Sequence, residues 1–353
     1  MHRALTFVAV VGMAAGIASA QSGVLMVPES SNDRVMLFDA FDGSLITDNF
    51  IDLVPQGAGT PINAVQAGQE IWVSDQIADS IFRYSLDGST HLGTISGGMD
   101  NIRGFEVVGN TAYVTNSGTG NGAPGDGIVT IDVSSVTINV FFASGDTGAA
   151  DPFDVLSYSG NLLINDISGE DIDVFSTGGA FQSVFVESDG VSGIDFPEQM
   201  AETSSGTILA AGFSSPAGIY EYDGSGTLLN YYDVGTGIRG VHELGNGNIM
   251  FTDGAGVHVL DPNTGAITDS IDGVSARFIE AYIPAPGGAA LLGLAALSAC
   301  GPRARPVAPV PAAPVGPVRR PDFGDRDPHP PAGSRHGCPR AARAPARHGR
   351  IVV

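Results

Sequence analysis

The apolar positions of this chain fall in short runs that alternate with polar ones and stop at turn residues, which is the pattern of strands. In residues 151–186, DPFDVLSYSGNLLINDISGEDIDVFSTGGAFQSVFV, the runs FDVLSY, NLLIND, DIDVFS and AFQSVFV are separated by Ser-Gly, Ile-Ser-Gly-Glu and Thr-Gly-Gly. Each spacer is a turn signal, so the stretch predicts four antiparallel strands. One such sheet cannot bury both of its faces alone and needs neighbours of the same kind.

Copies are present. The hairpin of the third and fourth strands recurs as VMLFDAFDGSLITDNF, SIFRYSLDGSTHLGTI, GIVTIDVSSVTINVFF, DIDVFSTGGAFQSVFV, GIYEYDGSGTLLNYYDV and GVHVLDPNTGAITDSI. Equivalent positions are Phe38, Tyr84, Ile131, Phe175, Tyr222 and Leu260, at steps of 46, 47, 44, 47 and 38 residues. A period of about 40–50 residues with four strands per unit predicts an all-β fold, a β-propeller of six blades. Trp72, Tyr113, Phe175, Tyr222 and Phe251 are the expected blade-to-blade packing residues. With 49 Gly and 22 Pro in 353 residues and no helical period, composition agrees.

The first run, GVLMVPES, matches the second strand of the other repeats (EIWVSD, TAYVTN, LLIND, ILAAG, NIMFTD) and lacks a first strand. The missing strand is expected at the other end, in ARFIEAYI (276–283), which is like IRGFEVV and IRGVHEL. Pairing of the N-terminal strand with the last strand would close the ring and cover edges otherwise left exposed.

Outside the repeats the chain changes character. Residues 1–20, MHRALTFVAVVGMAAGIASA, have a basic start, an apolar run and a small-x-small ending, the pattern of a cleaved secretory signal peptide. The propeller is expected over 21–283. Residues 284–305 hold Pro-Ala-Pro, a short apolar run and arginines; the run is short for a spanning helix of ~20 residues, and the segment is expected to serve as a sorting segment that anchors the chain to the membrane transiently. Residues 306–353 are Pro/Arg-rich without period and are expected to be disordered. This tail is arginine-rich where the mature chain before it is nearly arginine-free, as translation in an altered frame of GC-rich DNA would make it. Cys300 and Cys338 both lie beyond the repeats, so no disulfide framework holds the fold.

Net charge is −22, with no lysine. Residues 21–301 carry 35 acidic residues and five arginines (Arg34, Arg83, Arg103, Arg239, Arg277). So acidic a domain repels nucleic acid and anionic headgroups. Aligning the ends of the second strands gives Glu29, Asp75, Asn116, Asp166, Gly212 and Asp253, five of them oxygen donors. These are either turn starters or a ring for a hard cation such as Ca²⁺. The starts of the first strands supply Asn63, Arg103, Asp154, Glu198, Arg239 and Arg277 at the channel mouth. Those arginines either lock blade to blade or hold an anionic ligand. His91, His242 and His258 are scattered, with His242 alone on a first strand, and no catalytic motif stands around any of them.

Two resemblances add to this reading. Pro152-Phe153-Asp154-Val155, Gly160-Asn161-Leu162-Leu163-Ile164 and the DIDVFSTG turn resemble the NHL-type and TolB-like six-bladed propellers, over 23–283. That fold hosts binding modules, hydrolases and lyases alike. Residues 284–305 look like a PEP-CTERM sorting signal, with Pro-Ala-Pro for Pro-Glu-Pro and a sparse basic cluster (Arg303, Arg305). The resemblance implies processing by an exosortase and a place outside the cell. The expected role is a secreted or cell-surface, non-enzymatic binding or scaffold protein with a protein or glycan partner. The alternative is a lactonase-like metal-dependent hydrolase or lyase using Glu29, Asp154, Asp166 and Glu198.

Overall fold

The computed structural model describes residues 23–143 and 150–283. The expected signal peptide, the 284–305 segment, the tail and both cysteines lie outside the described residues.

Six four-stranded antiparallel sheets make six blades, as the repeat predicts. Five blades are built from four consecutive strands each. Blade 1 draws on both ends of the repeat region: Glu280–Tyr282 pairs with Val24–Glu29, followed by Arg34–Asp39 and Leu45–Asp52. The closing register is Val24↔Tyr282, Leu25↔Ala281 and Met26↔Glu280, and a further bridge joins Glu29 to Ala276. The expected closure by N- and C-terminal strands is therefore present.

The inner strands of blades 2 to 6 are Pro61–Ala67, Phe105–Val108, Pro152–Tyr158, Pro197–Glu202 and Gly240–Glu243. The second strands are almost wholly buried: Glu70–Asp75 and Asn161–Asp166 each bury five of six residues. The fourth strands form the rim and are largely exposed, as in Leu228–Tyr232. Apolar residues thus concentrate towards the axis, where blades press together. Trp72, Phe175 and Phe251 are fully enclosed, and Tyr113 and Tyr222 nearly so. Trp72 packs with Phe105 and Val114 of blade 3, and Phe175 of blade 4 stacks on Phe142 of blade 3 at 4.8 Å between centroids. Burying each such ring contributes about 1.5–3 kcal/mol by area alone. The turns bring blades equally close. At Gly226, where φ is +82°, a Cβ would run into the Phe185 carbonyl of the neighbouring blade.

One irregularity recurs and positions the site. In blades 2, 4 and 5 the inner strand bulges near its start, between Pro61 and Asn63, Pro152 and Val155, and Pro197 and Met200. A bulge adds one residue and re-aims the side chains beside it.

Candidate functional site

The residues that end the second strands are buried and engaged one by one. Asp166 accepts the amides of Ala150 (2.7 Å), Asp151 (3.0 Å) and Ser168 (2.8 Å). Asp75 accepts four amides, from Gly59, Thr60, Ile77 and Ala78, and Asp253 takes those of Ala255 and Gly256. Asn116 accepts the Asp100 amide and donates to Gly118 and Gly125. Glu29 accepts from Ser31, Asn32, Ser275 and the Arg34 side chain. Burial pushes Glu29 up, but the donations from Asn32, Ser31 and Ser275 leave it below its ordinary value. Each side chain thus pins its own turn, and in most blades also the segment that leads into the first strand. At Gly212 no side chain is available, and backbone bonds from Phe213 to Phe196 and Ser214 to Asp195 serve instead. The oxygens sit on separate turns and each is engaged there, chiefly by amides, so they do not form a shared Ca²⁺ cage. Among the described residues no three His, Cys, Asp or Glu side chains gather as a metal site.

The mouth residues fall into two tiers. Matched through the strand registers, Ile62, Arg103, Phe153, Glu198, Arg239 and Arg277 occupy one level, and Asn63 and Asp154 the next one inward. Asn63 and Asp154 therefore stand one residue away from the ring predicted for them, displaced by the bulges. Arg103 ion-pairs with Asp151 of blade 4 at 2.8 Å and lies over the Phe153 ring at 4.6 Å, so this arginine does lock two blades. Arg239 donates to the Ser275 hydroxyl (2.9 Å) and lies 5.7 Å from the Phe213 ring centroid. Arg277 donates from Nε to the Ser30 hydroxyl at 3.2 Å. Burial, together with Arg239 nearby, lowers Arg277 to about 10 despite the pull of Glu198. Glu198 feels all three arginines, yet burial dominates and raises it to about 7.

Inside this ring the axis is filled. Phe153 of blade 4 meets Phe278 of blade 1, and Ile62 completes the cluster. Further in stand Glu106, Asp154, Glu280 and His242. Glu106 and Glu280 are half-buried. Burial raises Glu106 to about 7 and Asp154 and Glu280 well above their ordinary values; Glu106 adds to both of the latter. Burial lowers His242 to about 4. The Gln199 amide braces the group: its Nε2 donates to the Ile279 carbonyl (2.8 Å) and Glu280 (3.1 Å), and its Oε1 accepts from Val241 and Ile279. Asp154 accepts the Met200 amide at 2.9 Å.

The four residues of the hydrolase alternative are thus divided. Glu29 and Asp166 hold turns, Glu198 belongs to the arginines, and Asp154 to the inner carboxyls. Glu106, Gln199, Glu280 and the mouth aromatics Phe196, Phe213 and Phe278 were not among the predicted site residues. One signal was available: Glu106, His242 and Glu280 each stand three residues after Arg103, Arg239 and Arg277.

No family model matches the chain, and no curated protein matches it. Solved structures do. A chain of the nidogen/laminin complex superposes with a TM-score of 0.61 at 16% identity, covering 74% of this chain and 99% of that one. A protein of unknown function from Bacteroides caccae gives 0.53 at 13% identity, with coverage of 74% and 99%. The virginiamycin B lyase of Staphylococcus aureus gives 0.43 at 15% identity, covering 64% of this chain and 71% of the other, too loose a match to carry an argument. At these identities the likeness establishes the fold, a six-bladed propeller, and nothing of the activity.

Proposed function

We propose that this protein is a secreted or surface-exposed, non-enzymatic binding propeller that takes its ligand at the mouth of the axis, where the loops between second and third strands gather. One observation carries the reading. Ile62, Phe153 and Phe278 pack together at the mouth, and the ring there holds buried polar atoms without partners, on Arg103, Glu198 and Arg239. Buried polar atoms are nearly always hydrogen-bonded, so a cluster of atoms without partners marks a place built for something more than packing. The secretory pattern of 1–20 and the sorting-like segment 284–305 supply the address.

The test has two parts. Expression with the native leader, followed by fractionation and protease shaving of intact cells, reads the address; protein confined to the cytoplasm would refute it. Glycan and peptide arrays probed with the full chain and with Phe213→Ala read the site. Phe213 is 36% exposed, so its removal leaves the core intact. Binding that Phe213→Ala does not alter would place the ligand elsewhere.

A further inference from the structure

Five arginines serve the propeller, and three are matched with carboxylates: Arg34 with Glu29 and Asp48, Arg83 with Glu70, and Arg103 with Asp151. Arg239 and Arg277 are not. Among the described residues neither has a carboxylate within ion-pair distance, and both donate to serine hydroxyls. In a region with 35 acidic residues, two adjacent guanidiniums without a carboxylate are a marked exception. Holding like charges together in a partly buried ring is costly unless something negative joins them.

The opposite defect lies beside them. Glu198 is 4% exposed, and its Oε2 accepts no hydrogen bond. It is drawn by all three arginines and yet bonded to none of them. The ring therefore holds two donors without partners, the Nε groups of Arg103 and Arg239, and one acceptor without a partner, Oε2 of Glu198. With Arg103 balanced by Asp151, the remaining two arginines outnumber Glu198 and leave the ring with an excess of positive charge. A ligand anion meets that excess. A planar carboxylate matches guanidinium forks, and a hydroxyl on the same molecule would donate to Glu198.

The wall supplies the rest of the recognition. Phe153, Phe196 and Phe213 form a chain of rings with centroids 5.7 and 5.5 Å apart. Phe196 is held at φ +51°, a conformation that is strained for a bulky side chain and that persists where the surroundings impose it. Such a wall offers an apolar face on which the C–H face of a ring can lie.

Building on the mouth as the binding site, we propose that its ligand is a hydroxylated carboxylate of the sugar-acid class. Its carboxylate sits between Arg239 and Arg277, a hydroxyl donates to Glu198, and its apolar face lies against Phe213.

Calorimetric titration of the full chain with glucuronate and galacturonate tests this, with glucose, galactose and cyclohexanecarboxylate as controls. Saturable uronate binding is expected, at least about tenfold tighter than for any control. Arg239→Gln and Arg277→Gln should each weaken it by about tenfold or more, with thermal melts showing that the variants fold. Phe213→Ala, on the exposed wall, should weaken it while removing no charged group, though Arg239 loses the ring it lies over. Neutral sugars bound as tightly as uronates, and lost on Phe213→Ala, would overturn the anion while leaving the mouth as the site. Cyclohexanecarboxylate bound as tightly as uronates would overturn the role of Glu198. Uronate binding unchanged in all three variants, or no heat with any probe, would overturn the proposal.

Discussion

Phe153 and Phe278 meet across the propeller axis with ring centroids 6.0 Å apart, although they belong to opposite blades. The contact joins the ring at the point where blades converge, and it divides the mouth from the inner carboxyls. Phe278 is fully buried, so Phe278→Ala removes a large ring and leaves a cavity that the surrounding strands cannot collapse into. The expected loss is about 3–5 kcal/mol, read as a shift in the urea midpoint at unchanged slope. A shift under about 1 kcal/mol would mean that the axis relaxes around the gap.

Gly104 reports on the same place from blade 3. A Cβ there would strike both the Asp154 carboxylate and the Phe278 ring. Gly104→Ala is therefore expected to lower the melting temperature by several degrees, and the double variant Gly104→Ala/Phe278→Ala by less than the sum of the two. That non-additivity follows from a shared contact, and strict additivity in the melts would refute it.

Asp166→Ala removes one acceptor from three turn amides. Buried amides left without a partner cost about 1–3 kcal/mol each where water cannot reach them, and Ala150 and Ser168 are near enough to solvent to recover part. We expect a loss of about 2–4 kcal/mol in chemical denaturation. Asp166→Asn should lose less, since one acceptor oxygen remains, as at Asn116. A destabilisation equal in both variants would show that charge, and not the acceptor, holds the turn.

The blades, the ring closure and the buried aromatics were legible in the sequence because all three rest on periodicity. Phe38, Tyr84 and their equivalents recur at a spacing that only stacked blades explain. The mouth was half legible. Arg103, Arg239 and Arg277 stood out because arginine is rare here, but Asn63 and Asp154 were assigned one position off. The reason is the bulge: counting residues along a strand assumes a strict two-residue alternation, and one extra residue breaks it. Phe278 and Gln199 carried no such mark, since a phenylalanine or glutamine at the axis looks like any other strand residue. Their roles come from contacts between blades far apart in the chain.

The closing strand makes its own prediction. Deleting 276–283 would strip the inner strand from blade 1, expose the edge of Val24–Glu29 and remove Phe278 and Glu280 from the axis. An exposed edge invites association. The truncated protein should lose its single cooperative unfolding transition and aggregate in size-exclusion chromatography. A monomer that melts like the full chain would show that the ring does not depend on this clasp.

The inner carboxyls set the response to pH. Burial raises Glu106 and Glu198 from 4.5 to about 7, and it raises Asp154 and Glu280 well above their ordinary values. A carboxyl with a raised value keeps its proton in the folded chain at a pH where the unfolded chain has released it. Stability therefore falls as pH rises from about 4.5 towards and past 7. His242 acts the other way: lowered from 6.5 to about 4, it refuses a proton that the unfolded chain accepts, so stability falls as pH drops through that interval. One histidine stands against four carboxyls, and the melting temperature should be higher at pH 5.5 than at pH 8. The acidic surface would give the same sign by self-repulsion, but added salt screens that contribution. Glu106→Gln should raise the melting temperature at pH 8 in high salt and change it little at pH 5.5. If the substitution acts equally at both pH values, Glu106 does not titrate in this range and the surface charge alone sets the slope.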